Sequence, residues 1–510
     1  MPHDSEFADY EPVTRPRTSN ILDTEAPEDE WIRSKTNKSG SRLREVTSAI
    51  HRRRDGALQT SRLKEESIPG KEKAARTESR KKNWILKRGH TLSFAGLFLF
   101  TVVLYFRPYE LIPALSPVKS MAFYVALVTL IVFLPTQLSV EGNLTARPRE
   151  VNLVLFLVLA ALLSIPMAIN PGEAWDKLND TLIKAVIIFI VIVNVVHTKR
   201  RLKLLILLAL AVSVYLSINA VNDYRHGIFK LGSLENDTNR VAGSIGGLFE
   251  NSNDLALHLV TMVPIAFALA LEKRGLGRKV VYLTTVVLMI AAIVVTFSRG
   301  GFLGLIASAF VFTRKLGRRN RVATTGVFVL AAILFVALAP GAYSGRLSTI
   351  FDSGADITGS SSQRTEVLKR SVIVALRYPL FGVGIGNFHH RSIQELVTHN
   401  AYTQVATEIG LPAMICYMMF LLHPLKRLRQ IEQETYDRSS ERYFYYLAVG
   451  LQASLVAYMV ASFFAAVAYQ WYIYYLVGYA IALRRLYQYR LENNSQPHAR
   501  FNICNATGRA

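Results

Sequence analysis

The sequence predicts an all-α polytopic membrane protein with about twelve transmembrane helices. Three observations lead there. Of the 510 residues, 51% are hydrophobic. They gather into separate apolar runs of about 16 to 22 residues, close to the length a helix needs to cross a bilayer. Lys and Arg collect in every second connector between these runs, which is how membrane topology is encoded.

Reading apolar runs between charged breaks places the spans at 91–106, 120–136, 151–169, 181–197, 203–220, 254–271, 280–297, 301–313, 322–339, 401–424, 443–464 and 467–483. The eighth is short and the last two are closely spaced. Alternate connectors contain "ARPRE", "TKRRLK", "EKRGLGRK", "RKLGRRNR", "KRLRQIEQETYDRSSER" and "RRLYQYR", all basic. Between them fall "RPYELIPALSPVK", "NPGEAWDKLND", the segment 221–252, the tight "SRGG", the segment 340–400 and "FAAVAY", none with a basic cluster. With the basic head inside, both termini are cytoplasmic and the long 340–400 connector is external. A connector of that length is uncommon as mere linkage. Within it, "SSQRTEVLKRSVIVALRYP" reads as a helix with a polar start, stopped by Pro379 and followed by the Gly-rich turn "FGVGIGNF".

Residues 1–90 are a different material. The first 30 hold nine acidic and two basic side chains, and residues 31–90 hold eighteen basic and six acidic. Neither half can bury a core, so the head is expected to be disordered. No signal peptide is expected, because the first apolar run, near Thr91, ends without a small-residue cleavage pattern. "HRRR" and "SRKKNWILKR" read as signals that retain the head in the cytoplasm, with anionic-lipid binding as the competing reading. The net charge of +22 does not imply nucleic acid, because the basic residues sit mainly in this head and in short connectors. Cys416, in an apolar run, and Cys504, in the tail, are too few and too differently placed for a disulfide framework or a metal site.

The external side holds the polar residues of interest. Arg299, in "VVTFSRGGFLG", lies between two spans joined by almost nothing, and the glycines after it suit a tight reversal or close backbone approach. An interfacial Arg that snorkels among headgroups is the plain alternative. Arg364 lies on the loop helix beside Glu366, Lys369 and Arg370, where a solvated amphipathic face would look the same. Arg346, in "SGRLSTIF", is a weaker version of the same signal. His399 opens the 401–424 run and titrates near working pH, which suits proton transfer, although an interfacial or capping His is the commoner case. Glu408, nine residues on, is about half a turn out of phase with it and reads as a structural partner for an Arg or Lys of a neighbouring helix.

No metal cluster, P-loop, dinucleotide fingerprint or G-x-S-x-G appears in a context that would give it meaning. "GVGIGN" has no preceding strand and is discarded as a nucleotide site. What remains is two or three arginines and one histidine on the external side. Forked guanidinium donors can hold and neutralise a departing diphosphate, and an imidazole can take a proton from an attacking hydroxyl. An amphipathic donor such as a polyprenyl-linked sugar would meet both without a soluble cofactor. The chemistry suggested is glycosyl transfer.

Three stretches, "VVTFSRGGFLGL", "SSQRTEVLKRSVIVALRYPLFGVGIGNF" and "THNAYTQVATEIGLPAMICY", resemble those of the O-antigen ligase and O-antigen polymerase superfamily of membrane glycosyltransferases, in the same order. The resemblance covers about residues 90–485. It implies a GT-C-like helical domain over 91–485 with a large periplasmic loop at 340–400, followed by a cytoplasmic tail at 486–510. It further implies a multi-pass protein of the bacterial inner membrane, working on polysaccharide or lipopolysaccharide. Such a protein moves a glycan from undecaprenyl diphosphate to an acceptor hydroxyl of a lipid or glycan, with neither metal nor cofactor. Carried over, Arg299 and Arg364 are associated with the donor diphosphate and His399 with activating the acceptor, while Arg346 rivals Arg364. "YFRPYELIP", with Arg107, and "FENSNDLALHL", with Asn253 and Asp254, resemble further family segments that could line the glycan path, and Asn253 could equally cap the sixth span. Asn400 and Tyr402 of the "HNxY" string join Arg346, Arg107, Asn253 and Asp254 as candidate substrate contacts. The charged head is longer than the family pattern and leaves open a partner-binding role.

The expected reaction is a metal-independent inverting displacement. Two rivals stand beside it. A flippase or transporter of lipid-linked glycans would want charged or broken-helix residues near mid-membrane and symmetry between halves, and no clear internal repeat is present. A non-catalytic scaffold for envelope assembly is favoured only by the head.

Overall fold

The structure is a computed structural model that describes residues 90–106, 121–229, 240–243, 249, 251–272, 275–316 and 360–506, with side chains for all of these except 360, 361 and 493–506. Every regular element among the described residues is helical. The charged head, the expected span at 322–339, Arg107 and Arg346 lie outside the described residues.

In chain order the helices are α1 (Thr91–Phe106), α2 (Met121–Glu141), α3 (Arg149–Ser164, prolonged by a 3-10 turn at Ile165–Met167), α4 (Pro171–Val195), α5 (Lys199–Arg225), α6 (Ser252–Glu272) and α7 (Leu276–Val295). They continue as α8 (299–316), α9 (Ser360–Arg377), α10 (Ala401–Glu408), α11 (Leu411–Thr435), α12 (Arg442–Ala461) and α13 (Trp471–Ala506). Seven of these regions are long and apolar enough to cross a membrane: α2, α3 with its 3-10 turn, α4, α5, α6, α7 and the segment Ser439–Phe464 around α12. α1 is apolar but shorter. The chain is therefore a multi-pass membrane protein, with seven qualifying spans among the described residues where the sequence pattern suggested twelve across the chain.

Helix starts follow ordinary capping chemistry. Asn170 accepts from the Glu173 N–H at the head of α4, with Pro171 in the first helical position. Thr198 caps α5 through the Arg201 N–H. α4 carries a π-helical stretch at Leu178–Ile183. α6 occupies the centre of the bundle, packed against α12 and α7, while α13 lies along α4 and α11 packs against α3 and α12. Tyr105, Tyr475, Tyr479 and Trp471 form a buried aromatic layer, in which Thr101 and Tyr475 share a 2.9 Å hydrogen bond.

Two acids, one fully buried and one partly buried, are neutralised at the opposite end of the bundle from the 378–400 segment. Glu150, fully buried, accepts from Arg484 at 2.8 Å and lies 3.0 Å from His423, and Glu141 faces Arg485 at 3.4 Å. Arg484 and Arg485 belong to the last of the basic runs, and both compensate carboxylates inside the bundle.

The run expected as one span at 401–424 is two helices. α10 ends at Glu408, Gly410 sits at φ +107, and α11 begins with Pro412 in its first turn. A Cβ at Gly410 would stand 2.2 Å from the Leu380 carbonyl oxygen. The backbone groups freed at this break are met by the turn after α9: the Leu411 N–H donates to the Pro379 carbonyl and the Val383 N–H to that of Thr407, both at 2.8 Å.

Candidate active site

Helix α9 forms where its pattern places it, and the chain turns at Tyr378 before Pro379. Its inner face contributes Val367 and Val374 to a small buried cluster with Val383 and Phe388 of the following turn. Arg370 Nε donates to the Arg391 carbonyl at 2.9 Å, holding the same segment from the other side. Arg364, Thr365 and Leu368 occur at positions i, i+1 and i+4, so they share one side of the helix. Glu366, Lys369 and Arg370 are exposed.

The "SRGG" reversal is as tight as the sequence suggests. α7 ends at Val295 and α8 starts at 299. Ser298 caps α8: its Oγ accepts from the Gly301 N–H at 3.3 Å and donates to Asn253 Oδ1 at 3.0 Å. Arg299 is thus the first residue of a capped helix. The glycines let α8 approach its neighbours, since a Cβ on Gly301 would lie 2.9 Å from that of Ala256, and one on Gly304 3.1 Å from the Ala457 carbonyl oxygen.

His399 precedes α10 with φ +50, a left-handed conformation uncommon outside glycine. Asn400 follows as the N-cap, its side-chain oxygen accepting from the N–H groups of Tyr402 at 2.9 Å and Thr403 at 3.1 Å. Its amide nitrogen is buried and finds no hydrogen-bond partner among the described residues. Across the reversal Phe297 has φ +52. Left-handed backbone at non-glycine residues stores about 1–3 kcal/mol and concentrates at functional sites.

These three elements meet. Arg299, Arg364, His399 and Asn400 line one cavity of about 220 Å³, together with Thr365, Thr398 and the apolar side chains of Leu303, Leu368, Phe463 and Phe464. Burial, helped by the Arg364 charge, holds the His399 imidazole down at about 4. The ring is neutral at neutral pH and able to accept a proton.

The remaining candidates fall elsewhere. Asn253 is not a cap; Asn251 takes that position, accepting from the Asn253 N–H at 2.8 Å. The Asn253 side chain instead accepts from Ser298 and from Arg240 Nη2, the latter at 2.9 Å, and so supports the reversal beneath Arg299. Asp254 lies in the first turn of α6, outside the cavity lining. Tyr402 is also outside it, its hydroxyl donating to the Met459 carbonyl at 2.6 Å. Glu408 accepts from the Gly386 N–H at 2.9 Å, because the Gly-rich turn packs against the break after α10, and it also feels the charge of Lys177 on the neighbouring helix α4, as expected of a structural partner. In that turn Gly384, at φ +97, would place a Cβ 2.3 Å from that of Ala168, so this glycine serves backbone packing.

Sequence reasoning missed Arg240, whose Nε also donates to the Thr296 carbonyl at 3.1 Å. It missed Phe463 and Phe464 as well, which reach the cavity from beyond α12. No local pattern marks them. Thr365 and Leu368 were missed too, although their helical spacing from Arg364 is a signal that could have found them.

Fold and cavity define a polytopic helical membrane protein whose conspicuous polar site joins arginines to a neutral histidine. A family model described as O-antigen ligase matches residues 284–418, which contain Arg299, Arg364, His399 and Asn400. Over that segment the chain is similar to O-antigen ligases. No curated protein matches the chain.

Proposed function

We propose that the protein transfers a glycan from undecaprenyl diphosphate to an acceptor hydroxyl, at the periplasmic face of the bacterial inner membrane. The observation that carries this reading is the convergence of Arg299, Arg364 and His399, from three separate parts of the chain, on one cavity. The acceptor oxygen attacks the anomeric carbon as the bond from that carbon to the diphosphate breaks on the opposite side, so the configuration inverts. His399 takes the acceptor's proton. Undecaprenyl diphosphate leaves with its developing charge held by Arg299 and Arg364. Leu303, Leu368, Phe463 and Phe464 suit the first isoprene units of the carrier.

Electrostatic stabilisation of the leaving group supplies about 3 kcal/mol per well-placed donor. Proton transfer supplies roughly two to four decades of rate. Both are within reach of this residue set. Incubating purified protein with a lipid-linked oligosaccharide and acceptor lipid tests the reading. Covalent transfer to the acceptor supports it, whereas translocation across a vesicle without new covalent product would replace it with a flippase.

A further inference from the structure

Outside this cavity the fold assembles a second group of chemistry-bearing side chains. Glu173, in the first turn of α4, meets His389 and His390, which directly follow the Gly-rich turn. His390 Nε2 lies 2.9 Å from Glu173 Oε2 and His389 Nε2 lies 3.5 Å from the same oxygen. The two imidazoles are 4.0 Å apart between ring centroids, and all three ligand atoms fall within 4.8 Å of one another. Local spacing could not reveal this, because Glu173 and His390 lie 217 residues apart.

We propose that Glu173, His389 and His390 bind a divalent transition-metal ion of the Zn²⁺ class. Two imidazoles and a carboxylate are the donor set such ions prefer, while Mg²⁺ and Ca²⁺ prefer all-oxygen sites. Bonds of about 2.0–2.1 Å place tetrahedral ligands roughly 3.4 Å apart, and the observed separations of 2.9 and 3.5 Å bracket that value. His389 is already oriented: its Nδ1 lies 3.0 Å from the Gly386 carbonyl, an acceptor only, so Nδ1 donates there and Nε2 is the atom turned toward the site. A fourth position remains for water.

The electrostatic setting favours a cation. Glu173 also lines a separate cavity of about 480 Å³ with Asp176, Asp180 and Glu408; among the described residues Lys177 is the basic one in its lining, and Asp180 is paired with Lys184 at 2.7 Å. This cavity shares no lining residue with the one around His399. A bound ion would fasten the 382–391 turn to the start of α4. Through Phe388, buried against Val367 and Val374, it would steady the helix that carries Arg364. The role is structural and adds no step to the transfer chemistry.

The test uses the full chain purified in detergent with a tag lacking histidine, treated with EDTA and then equilibrated with Zn²⁺. One ion per chain is expected by metal analysis, with a rise in the thermal midpoint that EDTA reverses. Glu173→Gln and His390→Gln, which keep a hydrogen-bonding side chain, should each weaken binding by roughly tenfold or more, while unfolding at the wild-type temperature in EDTA. Co²⁺ should give the absorption of a four-coordinate site in wild type and not in the variants. Failure of the wild type to retain Zn²⁺, or equal retention by wild type and both variants, would overturn the site. Neither result depends on transferase activity.

Discussion

Ser298 and Asn253 are joined by a 3.0 Å hydrogen bond that ties the first turn of α6 to the cap of α8. The same Ser298 Oγ receives the Gly301 N–H, so the bond fixes the residue that starts the helix and, with it, the backbone of Arg299. Asn253→Ala removes this support and the acceptor for Arg240. The expected result is a fall in transfer rate of about tenfold or more with the cavity residues intact. Asn253→Asp, which keeps the acceptor, should retain more activity than the alanine variant. Initial rates at matched protein level check this.

His399 provides a prediction in pH. Its imidazole is held at about 4 by burial and by the positive charge of Arg364. A base acts deprotonated, so kcat/KM should stay level as pH falls from neutrality and decline only through about 4. Bound diphosphate favours imidazolium and raises the value, so the acid limb of kcat should lie at higher pH than that of kcat/KM. Removing the Arg364 charge with Arg364→Gln should also raise it. Modification of His399 by diethyl pyrocarbonate, which reacts with neutral imidazole, would then need a higher pH than in wild type.

Much of this arrangement could be read along the chain. The apolar runs and alternating basic connectors announce a polytopic membrane protein because hydrophobic length and charge placement are local properties. The α9 helix and its stop before Pro379 were legible for the same reason, and Arg299, Arg364 and His399 could be singled out because their motifs are contiguous, but nothing local says that they share a cavity. The break at Gly410 was not, because an apolar run continues through it; only the backbone of Leu380, brought alongside by the fold, requires the glycine. Glu408 was legible in part: a buried carboxylate suggests a cationic partner, and Lys177 does act on it, but the Gly386 N–H that it also accepts from comes from a distant turn. The Glu173, His389 and His390 group was invisible because it exists only after α4 and the 382–391 turn dock.

That docking can be broken at one atom. In Gly384→Ala the new methyl would lie 2.3 Å from the Ala168 Cβ at a backbone φ of +97. The substitution should destabilise the turn by about 2 kcal/mol or more. Limited proteolysis should cut the 382–391 segment faster than in wild type, and the thermal midpoint should fall.

The buried acid at the other end of the bundle offers a stability test. Glu150 is fully buried and Arg484 is its closest partner. Arg484→Ala leaves that carboxylate with His423 alone, and stripping a buried charge of its counter-ion costs about 3–5 kcal/mol. A marked loss of thermal stability is expected in detergent. Arg484→Ala combined with Glu150→Gln should recover much of it, because the charge that needed compensation is gone.

The most direct test of the central claim is single-turnover transfer from a lipid-linked glycan donor by purified wild type, Arg299→Ala, Arg364→Ala and His399→Ala at equal protein. Product is expected from wild type, with each variant slower by roughly a hundredfold or more and the two arginine variants at least as impaired as the histidine one. Near-wild-type transfer by all three would contradict the account.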